Sequence, residues 1–118
     1  MYNYKAKLLR VIDGDTIDVM IDLGFDIWVK KRIRLAGIDA YEVRTRDKKE
    51  KVLGKLAKNR LQQVLEKNDE IQVKSQGVGK YGRCIAQVYV IKRHIKSDKY
   101  HGKSINQMMV QEGHAKEI

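Results

Sequence analysis

Apolar positions in the first third of the chain recur with a period of two. From Thr16 to Asp22, Ile17, Val19 and Ile21 fall on one face, and Thr16, Asp18 and Asp22 fall on the other. That alternation predicts a half-buried strand. A second such run spans Ile27 to Leu35, with Ile27, Val29, Ile33 and Leu35 opposite Arg32 and Arg34. Residues 4–12, carrying Leu8, Leu9, Val11 and Ile12, predict a strand before them, and Asp13-Gly14 signals the hairpin between. After an irregular polar stretch the period changes. Leu53, Leu56, Ala57, Leu61, Val64 and Leu65 fall at helical spacing and predict one apolar helix stripe. Period two returns at Ile71 and Val73, and residues 84–91 are apolar at nearly every position, as a central strand would be. Gly77, Gly79 and Gly82 bracket a loop around Lys80 and Tyr81, and residues 92–103 read as a basic loop. Ser104 with Gln107 has the form of a capping box ahead of a short amphipathic helix carrying Ile105, Met108 and Met109.

The order is three strands in a meander, a helix, two strands and a short C-terminal helix. That order predicts an α+β, largely all-β fold, a five-stranded OB-type β-barrel with its main helix between strands three and four. The chain has no proline, no internal repeat and no linker-like segment, so residues 1–118 read as a single domain.

Charge narrows the possible partners. The net charge of +10 favours a polyanion, nucleic acid or an anionic surface, without separating binding from catalysis. No apolar run is long enough to span a membrane, and the N-terminus has no leader pattern. The expected location is cytoplasmic if Met1 is native, and extracellular if a leader was removed. The single cysteine, Cys84, excludes a disulfide framework and a cysteine-based zinc site, and it reads as a small buried hydrophobe.

Against this basic background, residues 13–29 hold five acids and no Lys or Arg. Asp15 shares the parity of Ile17, which places its carboxylate toward the barrel, a costly position unless it is paired or metal-bound. Asp13 fits an ordinary turn residue, and Asp18, opposite Ile17 and Val19, reads as solvated. A second cluster, RIRLAGIDAYE at 32–42, places Asp39 and Glu42 just beyond the third strand and Arg34 within it. Hard oxygen ligands suit Ca²⁺ or Mg²⁺, and arginine forks suit phosphate, so the mixture describes a phosphodiester site. The alternative is a polar loop with ion pairs. A third cluster, GKYGRC at 79–84, supplies Lys80, Tyr81 and Arg83. Between Arg44 and Arg60 lie eight Lys or Arg and two acids, either a solvated helix face or a rim for a nucleic-acid backbone. His94, His101 and His114 form no motif, and Phe25 and Trp28 read as core or barrel-mouth residues rather than stacking platforms.

These clusters, in this order, resemble the staphylococcal (micrococcal) nuclease family. The matching signatures are VIDGDT at 11–16, RIRLAGIDAYE at 32–42 and KYGR at 80–83, with a weaker match at SINQMMVQEGHAK, 104–116. The resemblance covers nearly the whole chain and implies a Ca²⁺-dependent phosphodiesterase that cuts DNA and RNA, single strands preferentially, at the 5′-oxygen side to leave 3′-phosphates. It maps metal ligands onto Asp15, Asp39 and the backbone carbonyl of Ala40, and catalytic roles onto Arg34, Glu42 and Arg83. Lys80 and Tyr81 map onto substrate contacts, and Asp13 onto an acid behind the metal ligands. Tyr41 stands where the family has proline before the glutamate. The staphylococcal enzyme's third helix has no counterpart before Ile118, from which either a monomer or a dimer is expected. Two further readings compete: a catalytically weak or inactive module of this fold that binds single-stranded nucleic acid or a protein, and a generic OB-fold binder.

Overall fold

A computed structural model describes residues 2–66, 70–78, 83–90 and 104–118. Within them, β1 (Asn3–Asp13), β2 (Thr16–Asp22), β3 (Trp28–Leu35), β5 (Ile71–Val78) and β6 (Cys84–Val90) close a five-stranded barrel in the order β1-β2-β3-β6-β5. All neighbours are antiparallel except β3 and β6, which run parallel over Ile33–Leu35 and Cys84–Ala86. The mixed barrel and its two helices are the predicted OB-type fold. The barrel is filled by the inward parity of each strand: Ile17, Val19, Ile33, Leu35, Ile71, Val73 and Val88 are all buried.

The helix α1 (Lys48–Glu66) begins earlier than its apolar pattern indicates. Asp47 sets its start, because its Oδ1 accepts from the Lys49 and Glu50 N–H groups. Ala57, Leu61 and Leu65 line the buried face. Leu53 and Leu56, which share the predicted stripe, are instead exposed, because Gly54 is the residue that faces the protein there. The short helix α2 (Ile105–Gln111) is capped as expected, with Ser104 Oγ accepting from Gln107 N.

Two elements escape the periodicity reading. β4 (Ile38–Ala40) and β7 (Ala115–Glu117) form a separate antiparallel ribbon, with Asp39 opposite Lys116 and Ala40 opposite Ala115. Each is three residues long, too short to display an alternation. Buried Asn106 on α2 joins this corner to the barrel. Its amide donates to the Ala36 and Ala86 carbonyls, and its Oδ1 accepts from Val88 N. A bidentate Arg60–Glu112 pair ties α1 to the residue after α2. Together these contacts fix where β4 lies against the barrel end.

Candidate functional site

The hairpin between β1 and β2 is a two-residue turn, since Asp13 pairs with Thr16 across Gly14 and Asp15. Glycine is needed at position 14 for close approach. A Cβ there would lie 2.7 Å from the Ala57 Cβ of α1 and 3.0 Å from the Ala40 Cβ of β4. The turn is thereby pressed between helix and ribbon, and Asp15 beside it is buried, at 7% exposure.

The burial is compensated by hydrogen bonds. Thr16 Oγ1 donates to Asp15 Oδ1 at 2.9 Å, and Ala40 N donates to Oδ2 at 2.9 Å. The Arg34 guanidinium completes the set, with Nη1 2.7 Å from Asp15 Oδ2. The same fork donates from Nη2 to the Ile38 carbonyl at 3.1 Å and stands 3.7 Å from Asp39 Oδ1. Arg34 reaches these groups because it lies opposite Thr16 in the β2–β3 register, on the face away from buried Ile33 and Leu35. Asp39 is exposed on β4. A buried and an exposed carboxylate thus share one guanidinium.

Glu42 is exposed two residues beyond β4, and its carboxylate makes no hydrogen bond or ion pair among the described residues. Its backbone is well supported. Asp13 Oδ1 accepts from the Val43 N–H at 3.3 Å. On the other side the Glu42–Val43 peptide lies directly on Gly54 of α1, where a Cβ would collide with the Glu42 carbonyl. Asp13 therefore holds the segment that carries Glu42, a role its turn position did not reveal. Arg83 is half-buried and immediately precedes Cys84, which pairs with Ile33, so it enters the barrel end beside the Arg32–Arg34 segment. Lys80 and Tyr81 lie outside the described residues, as do His94 and His101.

Asp15, Arg34, Asp39, Glu42, Asp13 and the start of β6 are thus brought to one end of the barrel. Ala40 enters by its N–H, which serves Asp15. Among the described residues no group of three or more His, Cys, Asp or Glu gathers as a ready-made metal cage. The oxygen donors nonetheless fit a hard divalent cation, which takes roughly six to eight oxygens and can draw several from water and phosphate.

Asp18 corrects the reading of its face as solvated. It is 2% exposed, receiving Arg32 Nε at 2.9 Å and Nη2 at 3.2 Å and Arg10 Nε at 2.9 Å. The Arg32 hydrogen bonds hold its carboxyl at about 2, below the usual 3.8, against the opposing effect of burial. Asp18 in turn raises the Arg32 guanidinium further above its ordinary value. Phe25 is the other correction. It is not a core residue but is 98% exposed at the tip of the β2–β3 hairpin, and Trp28 is partly exposed.

The domain is that of a nuclease-like barrel with an acid–arginine cluster at its end. The family model described as staphylococcal nuclease homologue matches residues 32–118, and the chain belongs to that family. It is 34% identical over 113 residues to a micrococcal nuclease of Shigella flexneri, covering 96% of this chain and 58% of that one. It is 30% identical over 111 residues to Protein ParB of Escherichia coli, covering 94% and 55%. The chain thus spans little more than half the length of these curated relatives.

Proposed function

We propose that this domain is a Ca²⁺-dependent phosphodiesterase that hydrolyses DNA and RNA at the 5′-oxygen side, leaving 3′-phosphates. The observation that carries the proposal is the Arg34 fork, set between buried Asp15 and exposed Asp39, with exposed Glu42 two residues beyond β4 and its carboxylate without a partner among the described residues. Asp15 and Asp39 would hold the cation, which when bound polarises a phosphate oxygen and helps place water. Glu42 is free to accept a proton from an attacking water. Arg34, whose fork lies among Asp15, Asp39 and the Ile38 carbonyl, can stabilise charge growing on the phosphorus oxygens, and Arg83 approaches the same place just before β6. Lys80 and Tyr81 are proposed to contact the terminal phosphate.

Incubation of the protein with single-stranded DNA or RNA, with Ca²⁺ or with a chelator, tests this reading. Cleavage that needs Ca²⁺ and disappears in Asp39→Ala is expected; no Ca²⁺-dependent cleavage at high protein concentration rejects it. One observation favours the alternative of an inactive nucleic-acid-binding module: both oxygens of the Asp15 carboxylate are engaged by protein groups, Arg34, Thr16 and the Ala40 N–H. Calorimetry that detects no Ca²⁺ binding even with a nucleotide present, alongside salt-sensitive binding to single strands, selects that alternative.

A further inference from the structure

The β3 residues on the face opposite the core continue from Arg34 through Arg32 and Lys30 to Trp28. At about 3.3 Å per residue this row runs about 20 Å away from the acid–arginine cluster. Beside it, across β2, lie Arg10 and Lys7 of β1, in rows Arg10–Asp18–Arg32 and Lys7–Met20–Lys30. Asp18 engages both arginines while leaving their outer portions exposed, with side-chain exposures of 62% for Arg10 and 45% for Arg32. Two guanidinium forks are thereby fixed in place with donors still facing solvent, which lowers the entropy lost when an anion binds. Among the described residues, exposed Lys30 has no ion-pair partner, and Lys7 makes no ion pair but lies over the Trp28 ring, 5.0 Å from its centroid.

The row ends at the β2–β3 hairpin, the most unusual backbone in the described protein. Gly24, Phe25 and Asp26 are three consecutive left-handed residues, with φ of 81°, 54° and 60°. The tip is closed by Leu23 N to the Ile27 carbonyl, Ile27 N to the Gly24 carbonyl and Gly24 N to Asp22 Oδ1. A left-handed conformation costs a non-glycine residue about 1–2 kcal/mol. Here it presents a large aromatic ring wholly to water, which contributes nothing to the core. Strain spent on exposing a ring points to a surface function.

We propose that this face is a second binding surface, a track along which a single-stranded nucleic acid runs from the barrel-end cluster to the hairpin. Lys7, Arg10, Lys30 and Arg32 follow the phosphates, and Trp28 and Phe25 stack on unpaired bases. The inference deepens the nuclease reading by giving the domain a reason to prefer long single strands. Same-face positions two apart on a strand repeat every 6–7 Å or so, a spacing suited to the successive phosphates of an extended strand. Bases can stack on the rings only when they are unpaired, so the surface selects single strands over duplex.

The test uses the full chain in chelator, so that it does not depend on turnover. Trp28 is the sole tryptophan and reports on its own surface. Titration with a twenty-nucleotide oligothymidylate is expected to quench its fluorescence saturably, with affinity falling steeply as salt rises. Lys7→Gln/Lys30→Gln is expected to weaken binding about tenfold and to make the salt dependence shallower by roughly one to two in slope. Phe25→Ala is expected to weaken it about fivefold or more. Thermal melts of these surface variants confirm folding. With Ca²⁺ restored, hydrolysis of a thymidine dinucleotide, too short to leave the barrel end, is expected to be unchanged in all of them. Wild-type affinity and salt slope in the variants overturns the proposal, as does quenching by anionic phospholipid vesicles but not by the oligonucleotide. Equal losses on dinucleotide and long strand also overturn it, because the effect then lies at the barrel end. Intact oligonucleotide binding with no cleavage of either length supports the track and rejects the nuclease reading.

Discussion

Two carboxylate–arginine clusters sit on neighbouring rows of one sheet, and they have opposite charge balance. In the Asp18 row two guanidinium groups share one carboxylate, for a local balance of +1. At the barrel end one guanidinium shares two carboxylates, Asp15 and Asp39, for a balance of −1. The first is built within the three strands β1, β2 and β3 and is left wanting an anion. The second recruits the turn, β4 and Thr16 and is left wanting a cation. Under the proposed function, a phosphodiester with a divalent counterion would satisfy both, which would account for an acidic edge in a basic chain. Similar residue types two positions apart therefore acquire different chemistry from their ratio and from which elements supply them.

The largest effect is expected at Arg34. Arg34→Ala leaves Asp15 buried with its charged partner gone, and a loss of about 3–5 kcal/mol in stability is expected from chemical denaturation. Any folded fraction is expected to cleave at least ~30-fold more slowly, about 2 kcal/mol of barrier, in single-turnover assays. Arg34→Lys recovers part of the stability but not the rate, because a point charge cannot span Asp15 and the Ile38 carbonyl as the fork does. If Arg34→Ala melts and cleaves like wild type, the barrel-end cluster is an incidental ion pair.

Gly54→Ala asks whether the barrel-end cluster depends on support from outside the sheet. Its methyl group meets the Glu42 carbonyl and Val43 N, so a cost of about 1–3 kcal/mol and a fall in kcat are expected, with little change in the affinity for oligothymidylate. A variant with lower Tm but unaltered kcat would show that Glu42 needs no positioning by α1.

Asp18→Ala addresses the other row, and a stability loss of about 1–2 kcal/mol is expected, moderated by the exposure of both arginines. Its pH dependence carries the sharper signature. Because the folded carboxyl sits at about 2 rather than 3.8, its contribution is complete above pH 4 or so and fades as pH falls toward 2. Melting curves between those limits are expected to fall less steeply for Asp18→Asn than for the wild type; parallel curves would mean that Asp18 is not the titrating group. The smallest effect is expected at Phe25. Replacement by Asn, which tolerates the left-handed region, is expected to raise stability by about 0.5–1 kcal/mol, because the ring it removes is fully exposed. A loss of stability on that change would show that the ring supports the hairpin itself.

Much of the barrel was legible because its strands have one wet and one dry face. Ile17, Val19, Ile33 and Leu35 mark the interior by parity alone, and the helix stripe announces itself through Ala57, Leu61 and Leu65. Asp15 was legible as a carboxylate in a place that required a partner, and it has one. The ribbon of β4 and β7 was not, because three-residue strands carry no period. Gly54 and Gly14 were not, because neither has a positive φ and the need for glycine comes from an element distant in the chain. Asp18 was misread for a related reason. Strand parity says which way a side chain points, but two arginines from flanking strands can bury a carboxylate on the outer face.

By itself the sequence determined the periodicities, and through them the barrel, the helices and the residue types available at its end. Those follow from local rules, since a two-residue repeat can bury only one face of a strand. Which carboxylate meets which arginine was decided by the tertiary structure alone. It depends on strand register, on the close approach that two glycines permit, and on the contact between residues more than seventy positions apart that sets β4 against β7. The exposure of Phe25 belongs to the same class, because only the path of the hairpin decides whether an aromatic ring completes a core or is held out into water.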